Sequence, residues 1–186
     1  MREVILAAAR DVFCEVGYNA AAMVRIAVLA GVSYSKLITA FPDKEALLRE
    51  LLSRRDDEDE ERIDLDAITD PHDALDAVVG LVRFNSTHPG IVELFTVLAG
   101  ESVSVNNPGH EFFAGRYESR LSTLRRTYTR GREAGLLDSR LTPDAAAAEL
   151  IALMDGLQIQ WLLSGGRTDM VALVRGYLNR QLIEPT

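Results

Sequence analysis

Apolar residues in this 186-residue chain recur every three to four positions, and glycine or proline interrupts the recurrence at short intervals. That pattern admits amphipathic helices separated by turns. Over 2–16, Ile5, Ala9, Val12, Phe13 and Val16 share one face, and Gly17 ends the run. A short helix around 22–30, with Met23, Ile26, Ala27 and Ala30 inward, ends at Gly31. Ser33 caps a second short helix at 34–40, because its hydroxyl can accept an orphan backbone N–H. Pro42-Asp43 opens a helix at 43–62 striped by Leu47, Leu48, Leu51 and Leu52. Asp70-Pro71 places a cap before proline at the first helical position, a favoured start. That helix runs to His88, and Pro89-Gly90 separates it from an apolar helix at 90–103. After the Asn106-Asn107-Pro108-Gly109 loop, Phe113, Tyr117, Leu121, Leu124 and Tyr128 form an inner stripe up to Gly135. Thr142-Pro143-Asp144 caps a helix at 143–164, and Thr168 caps the last, with Val171, Val174, Leu178 and Leu182 inward. No stretch alternates with period two. The expected fold is all-α, with about nine helices and no sheet.

Composition narrows the function. Hydrophobic residues are 47% and charged residues 26%, which suits a folded domain with its own core. Twenty basic against twenty-eight acidic side chains give a net charge of -8, which excludes a strongly basic nucleic-acid binder but not a local binding face. The acid is unevenly placed: residues 1–50 hold six basic and six acidic side chains, so the rest carries the whole deficit. A single cysteine, Cys14, leaves no internal disulfide and fits a reducing cytoplasm. The charged N-terminus does not read as a secretory signal, and no uninterrupted apolar run nears the ~20 residues of a membrane helix.

The segment Ile26-Ala27-Val28-Leu29-Ala30-Gly31-Val32-Ser33 reads as helix, glycine turn, cap and second helix. This is a helix-turn-helix, although an ordinary helical corner has the same signature. In the first reading the second helix lies in a major groove with its N-terminal residues at base edges.

The surrounding residues extend the likeness. Ile5-Leu6-Ala7-Ala8-Ala9, Phe13, Gly17-Tyr18, Ile26-Ala27, Ala30-Gly31-Val32-Ser33, Leu37, Phe41 and Lys44-Glu45-Ala46-Leu47-Leu48 together resemble the N-terminal domain of the tetracycline-repressor (TetR) family. Farther on, His88-Pro89-Gly90-Ile91-Val92-Glu93-Leu94-Phe95 and Asp155-Gly156-Leu157-Gln158-Ile159-Gln160-Trp161-Leu162-Leu163 are similar to an actinobacterial-type branch of the same family. The resemblance implies a DNA-binding domain at 1–45 and a ligand-binding and dimerisation domain at 46–186. It further implies a homodimer, a pseudo-palindromic double-stranded DNA operator, a small hydrophobic ligand, and a repressor released by that ligand. The expected dimer contact uses the helices at 143–164 and 168–183.

Several positions depart from the family pattern. Ala21 and Ala22 stand where hydroxyl residues usually cap the second helix and touch phosphate. Ile38 and Ala40 stand where Tyr and His usually reach the backbone. The alternative is therefore a sensor or interaction protein whose DNA contacts are weakened or lost. The residues remaining for DNA are Ser33, Tyr34, Ser35, Lys36 and Thr39, with Arg25 and Lys44 as phosphate candidates. Lys36 could pair with guanine or phosphate. For Arg25 and Lys36, plain surface charge is the competing reading.

The helix at 143–164 is apolar on several faces. Leu150, Leu153, Leu157 and Trp161 make one stripe, and Ala152, Gly156, Ile159 and Leu163 another. Asp155 and Gln158 need partners in that setting, either as interface bonds or as polar groups of an apolar pocket. Phe84, His88, Phe95, Phe113, Tyr117 and Trp161 are further pocket candidates with ordinary core as the alternative. The acidic run Asp56-Asp57-Glu58-Asp59-Glu60-Glu61 reads as a solvated face rather than a metal site. Arg116, Arg120, Arg125, Arg126, Arg130 and Arg132 read as surface salt bridging. No phosphate loop, HExxH motif or serine elbow occurs, so no catalytic residue, cofactor or metal is expected.

Overall fold

The helical period and its punctuation reappear as nine α-helices in a computed structural model, which describes residues 1–62, 65–138 and 140–183, and only the backbone of 55–62. The acidic run 56–61 and its solvated-face reading therefore lie outside the described side chains. The helices are α1 Arg2–Ala20, α2 Met23–Leu29, α3 Tyr34–Ala40, α4 Lys44–Arg62, α5 Pro71–Ser86, α6 Pro89–Glu101, α7 His110–Glu133, α8 Pro143–Leu163 and α9 Met170–Asn179. Among the described residues the sole β pairing is an isolated antiparallel bridge between Leu137 and Leu182.

Side-chain caps explain at least four of the starts. Ser33 accepts from the Lys36 N–H, Asp70 from His72 and Asp73, and Thr142 from Ala145, the last two followed by proline in the first turn. Two expectations need correction. Gly17 does not end α1. It breaks the helix at φ +73°, and the chain resumes helical geometry through Ala20. Thr168 does not cap α9. Its hydroxyl lies against Ser164, and the Asp169 carboxylate takes the Ala172 N–H at 2.9 Å.

The chain forms two compact units, residues 1–61 with 93–114 and residues 62–92 with 115–186. In the first, Ile5, Val12, Phe13, Ile26, Leu37, Phe41, Leu47 and Leu52 are almost fully enclosed, and Leu94, Leu98 and Phe113 join them. In the second, Val79, Tyr128, Leu150 and Val174 centre a core that also takes Val92, Leu157, Trp161 and Leu178. Helix α6 thus supplies Val92 to one core and Leu94 and Leu98 to the other. Tyr117 and Leu121 do not belong to the enclosed stripe of α7: Tyr117 is exposed and Leu121 half-buried, whereas Leu124 and Tyr128 are inside. On α9, Val171 is half-buried, as is Leu182 beyond it, and Met170 takes the inward place.

By length and mean hydropathy alone α8 could cross a membrane. Here Leu150, Leu157 and Trp161 pack into the second core, while Ile159 and Leu163 stay exposed.

Candidate functional site

Helices α2 and α3 turn by 106° about Gly31, whose φ of +65° only glycine adopts without strain. Ile26, Ala27, Ala30 and Leu37 hold the pair on the core of the first unit. Ser33, Tyr34, Ser35, Lys36 and Thr39 are all exposed at the surface. The spacing of Leu37 against these residues is what a helix presented from one buried face requires. Their hydroxyls already have local partners: Ser33 Oγ lies 3.1 Å from Ser35 Oγ, and Thr39 Oγ1 donates to the Ser35 carbonyl at 2.8 Å. Lys36 is exposed and makes no ion pair among the described residues.

Arg25 and Lys44 are engaged. The Arg25 guanidinium pairs with Glu15 of α1, which lowers the Glu15 pKa and raises that of Arg25. Lys44 faces inward. Its Nζ donates to the carbonyls of Tyr18 at 2.7 Å, Ala21 at 3.0 Å and Asn19 at 3.2 Å, and lies 4.4 Å from the centre of the Tyr18 ring. Burial lowers the Lys44 pKa against the opposing pull of Glu101. The four departures also have places. Ala22 is the N-cap of α2 and offers no side-chain bond. Ala21 is buried, and Ile38 and Ala40 are half-buried against the core rather than displayed.

The pocket candidates divide between the units. Phe95 and Phe113 belong to the first, as an edge-on pair with centres 5.8 Å apart. Phe84, His88, Tyr117, Asp155, Gln158 and Trp161 belong to the second. There Phe84 and His88 stack at 3.8 Å, and His88 Nδ1 bonds the Phe84 carbonyl at 2.8 Å. The Tyr117 hydroxyl donates to Asp155 Oδ2 at 2.6 Å. Burial raises the Asp155 pKa, and the Tyr117 hydrogen bond and the charge of Arg116 draw it back. Burial, then the charge of Glu93, pushes the Cys14 thiol up to about 11, which favours its protonated form.

A narrow cleft, partly open to solvent, lies in the second unit between Val82, Asn85, Met154, Leu157, Gln158, Met170 and Val174. Gln158 is the one sequence candidate on its wall, and Trp161 is enclosed in the core. Asn85 has a sequence signal, since Val78, Val82 and Asn85 follow at i, i+4 and i+7 on one face of α5. Met170 follows the Asp169 cap of α9, one residue beyond the Thr168 that the sequence offers as the cap. Glu15 and Glu101 find their partners across different helices, which periodicity does not register.

No curated protein sequence matches this chain. Solved structures do. A TetR-family transcriptional regulator from Agrobacterium tumefaciens is 23% identical with a TM-score of 0.81, covering 98% of this chain and 97% of that one. A transcriptional regulator from Saccharomonospora viridis in complex with choline is 23% identical, TM-score 0.78, covering 99% and 98%. The regulator FadR from Bacillus subtilis, in complex with stearoyl-CoA, is 21% identical, TM-score 0.79, covering 96% of each chain. At that identity the likeness is one of fold. Two family models match the sequence itself, one for bacterial regulatory proteins of the tetR family over residues 5–51 and one for the C-terminal part of BetI-type transcriptional repressors over 95–183. The chain therefore belongs to the tetR family of bacterial regulators, its C-terminal part being of the BetI repressor type.

Proposed function

We propose that the chain is a cytoplasmic, homodimeric repressor that binds a pseudo-palindromic operator through α3 and is released by a small hydrophobic ligand. The observation that supports it best is the presentation of α3, whose Leu37 is fully enclosed while Ser33, Tyr34, Ser35, Lys36 and Thr39 face outward. Residues 1–45 do the reading and residues 46–186 the regulation and pairing. Arg25 reaches phosphate after exchanging Glu15 for it, and Lys44 supports the reading head from inside. The dimer forms through α8 and α9, where Ile159, Leu163 and Leu173 are exposed. The chain is not an enzyme: its polar groups are arranged for binding.

The ligand enters the regulatory domain by the cleft of Asn85 and Gln158. Two carboxamides among apolar walls suit an apolar molecule carrying a few polar atoms. As it stands the cleft has room for little more than a water molecule, so entry of a ligand displaces the flexible Met154 and Met170. Ligand binding moves α4 and changes the separation of the two recognition helices. A coupling of roughly 1–3 kcal/mol between the sites is enough for release.

Operator selection with the purified dimer tests the reading. A palindrome should be enriched, and Lys36→Ala should weaken its binding by about 1–3 kcal/mol. Added salt should weaken it too, because releasing counterions into a saltier solution gains less entropy. The second reading, a sensor with lost DNA contacts, is favoured by the uncapped Ala22 and by the engagement of Arg25 and Lys44. No enriched palindrome and no salt-sensitive shift would establish it.

A further inference from the structure

The break in α1 is held by two side chains from other helices. At Gly17 the backbone leaves helical geometry at φ +73° and ψ 174°, so the Tyr18 N–H loses its helical acceptor. Glu101, the last residue of α6, fills the gap. Its Oε2 accepts that N–H at 2.6 Å, and its Oε1 lies 3.4 Å from Asn19 Nδ2. A Cβ at position 17 would collide with the same carboxylate. Lys44 donates to the carbonyls of Tyr18, Asn19 and Ala21. The segment 18–21, held by an acid at a backbone N–H and by an ammonium at three carbonyls, leads directly into α2. Since Ala22 gives α2 no side-chain cap, this grip is what sets its start.

We propose that Glu101 is a positioning residue for operator recognition, acting through the Tyr18 N–H to fix the entry into the helix-turn-helix. The assignment rests on the operator-binding reading above. It makes a prediction opposite in sign to simple electrostatics, in which removal of an acid near a DNA-binding module tightens binding.

The test compares Glu101→Ala, which removes the acceptor, with Glu101→Gln, which keeps an oxygen acceptor and loses the charge. Operator affinity is read across a salt series, and amide hydrogen exchange is read on the protein without DNA. Glu101→Ala should weaken operator binding about tenfold, the order of one lost charge-assisted hydrogen bond, and Glu101→Gln should restore most of it. The salt slope should not change, because no phosphate contact is removed. Exchange in Tyr18 to Leu29 should quicken about tenfold in Glu101→Ala, with the α8 amides unaltered. Unchanged or tighter operator binding in Glu101→Ala overturns the proposal, as does unchanged exchange. Should Glu101→Ala fail to fold, Glu101→Asp retains the charge and withdraws the carboxylate by one methylene. It must then show both effects, and wild-type behaviour in either overturns the proposal. If the wild-type chain selects no operator, the functional reading fails, and the exchange data alone decide whether Glu101 fixes the module.

Discussion

Asp155 is a carboxylate that the second unit holds at a cost. Its folded pKa lies above the ordinary value because burial disfavours the charge, and the 2.6 Å bond from Tyr117 limits the rise. Between the unfolded and folded values the folded state keeps the extra proton, so stability declines as pH rises through that window and remains lowered at neutral pH. Tyr117→Phe removes the donor and raises the Asp155 pKa further. The variant should lose about 1 kcal/mol at neutral pH and recover toward wild type as the solution is made mildly acidic. Thermal melts at both conditions check this, and an equal loss at both would mean that Tyr117 acts through packing alone. The need of Asp155 for a partner was legible in the sequence, since an acid amid apolar residues of a helix requires one. Which partner it finds was not, because Tyr117 lies 38 residues away on another helix. Lys44 shows the same limit. Residue type identified a cation near the reading head, but its direction depends on the carbonyls left open where α1 ends at Ala20.

Helices are where the sequence speaks most clearly, and caps are the reason. Ser33 is the only side chain that satisfies an orphan N–H at the start of α3 in the structure described here. Ser33→Ala should therefore cost about 1 kcal/mol and fray the first turn of α3, which chemical denaturation and amide exchange over 34–37 would show. No loss would mean that Ser35 or water replaces the cap. Failures of the sequence reading at this scale arise where two groups compete. Thr168 and Asp169 are adjacent candidates, and the carboxylate accepts more strongly than the hydroxyl. Gly17 looks like a terminator because glycine usually is one, yet outside acceptors and donors let the helix resume. On α8 the apolar period gave two stripes without saying which faces the core. Trp161 is on the enclosed stripe and Gln158 is on the cleft wall, so their substitutions should separate. Trp161→Ala should cost about 3–5 kcal/mol, whereas Gln158→Leu should leave the melt within about 0.5 kcal/mol and change only the response to ligand. If Gln158→Leu destabilises as strongly, the residue is core and the cleft is no binding site.

At the scale of the whole molecule, local periodicity tells a helix that it has an inner face but not whose core that face joins. Residues 93–114 pack into the same core as the N-terminal helices, a contact far away in sequence. The surface left over is more telling. Leu163 is 84% exposed, and Ile159 and Leu173 are about half exposed, so α8 and α9 both present large apolar side chains to solvent. The stripe Ala152, Gly156, Ile159 and Leu163 continues along α8 with small residues at one end, which permits close approach of another helix. Each leucine or isoleucine enclosed by a partner would contribute about 1.5–3 kcal/mol, and a twofold contact encloses every such residue twice. Leu163→Glu should therefore give a monomer in sedimentation at micromolar concentration, because an acid replaces the apolar contact in both copies at once. Its circular dichroism should stay that of the wild type, since Leu163 supports neither core. Operator affinity should fall by a factor of about 100 or more, because two linked reading heads gain an effective concentration that single ones lack. Retention of the dimer would move the interface off α8. Loss of the dimer with undiminished operator affinity would mean that one helix-turn-helix binds alone, and the twofold operator would have to be abandoned.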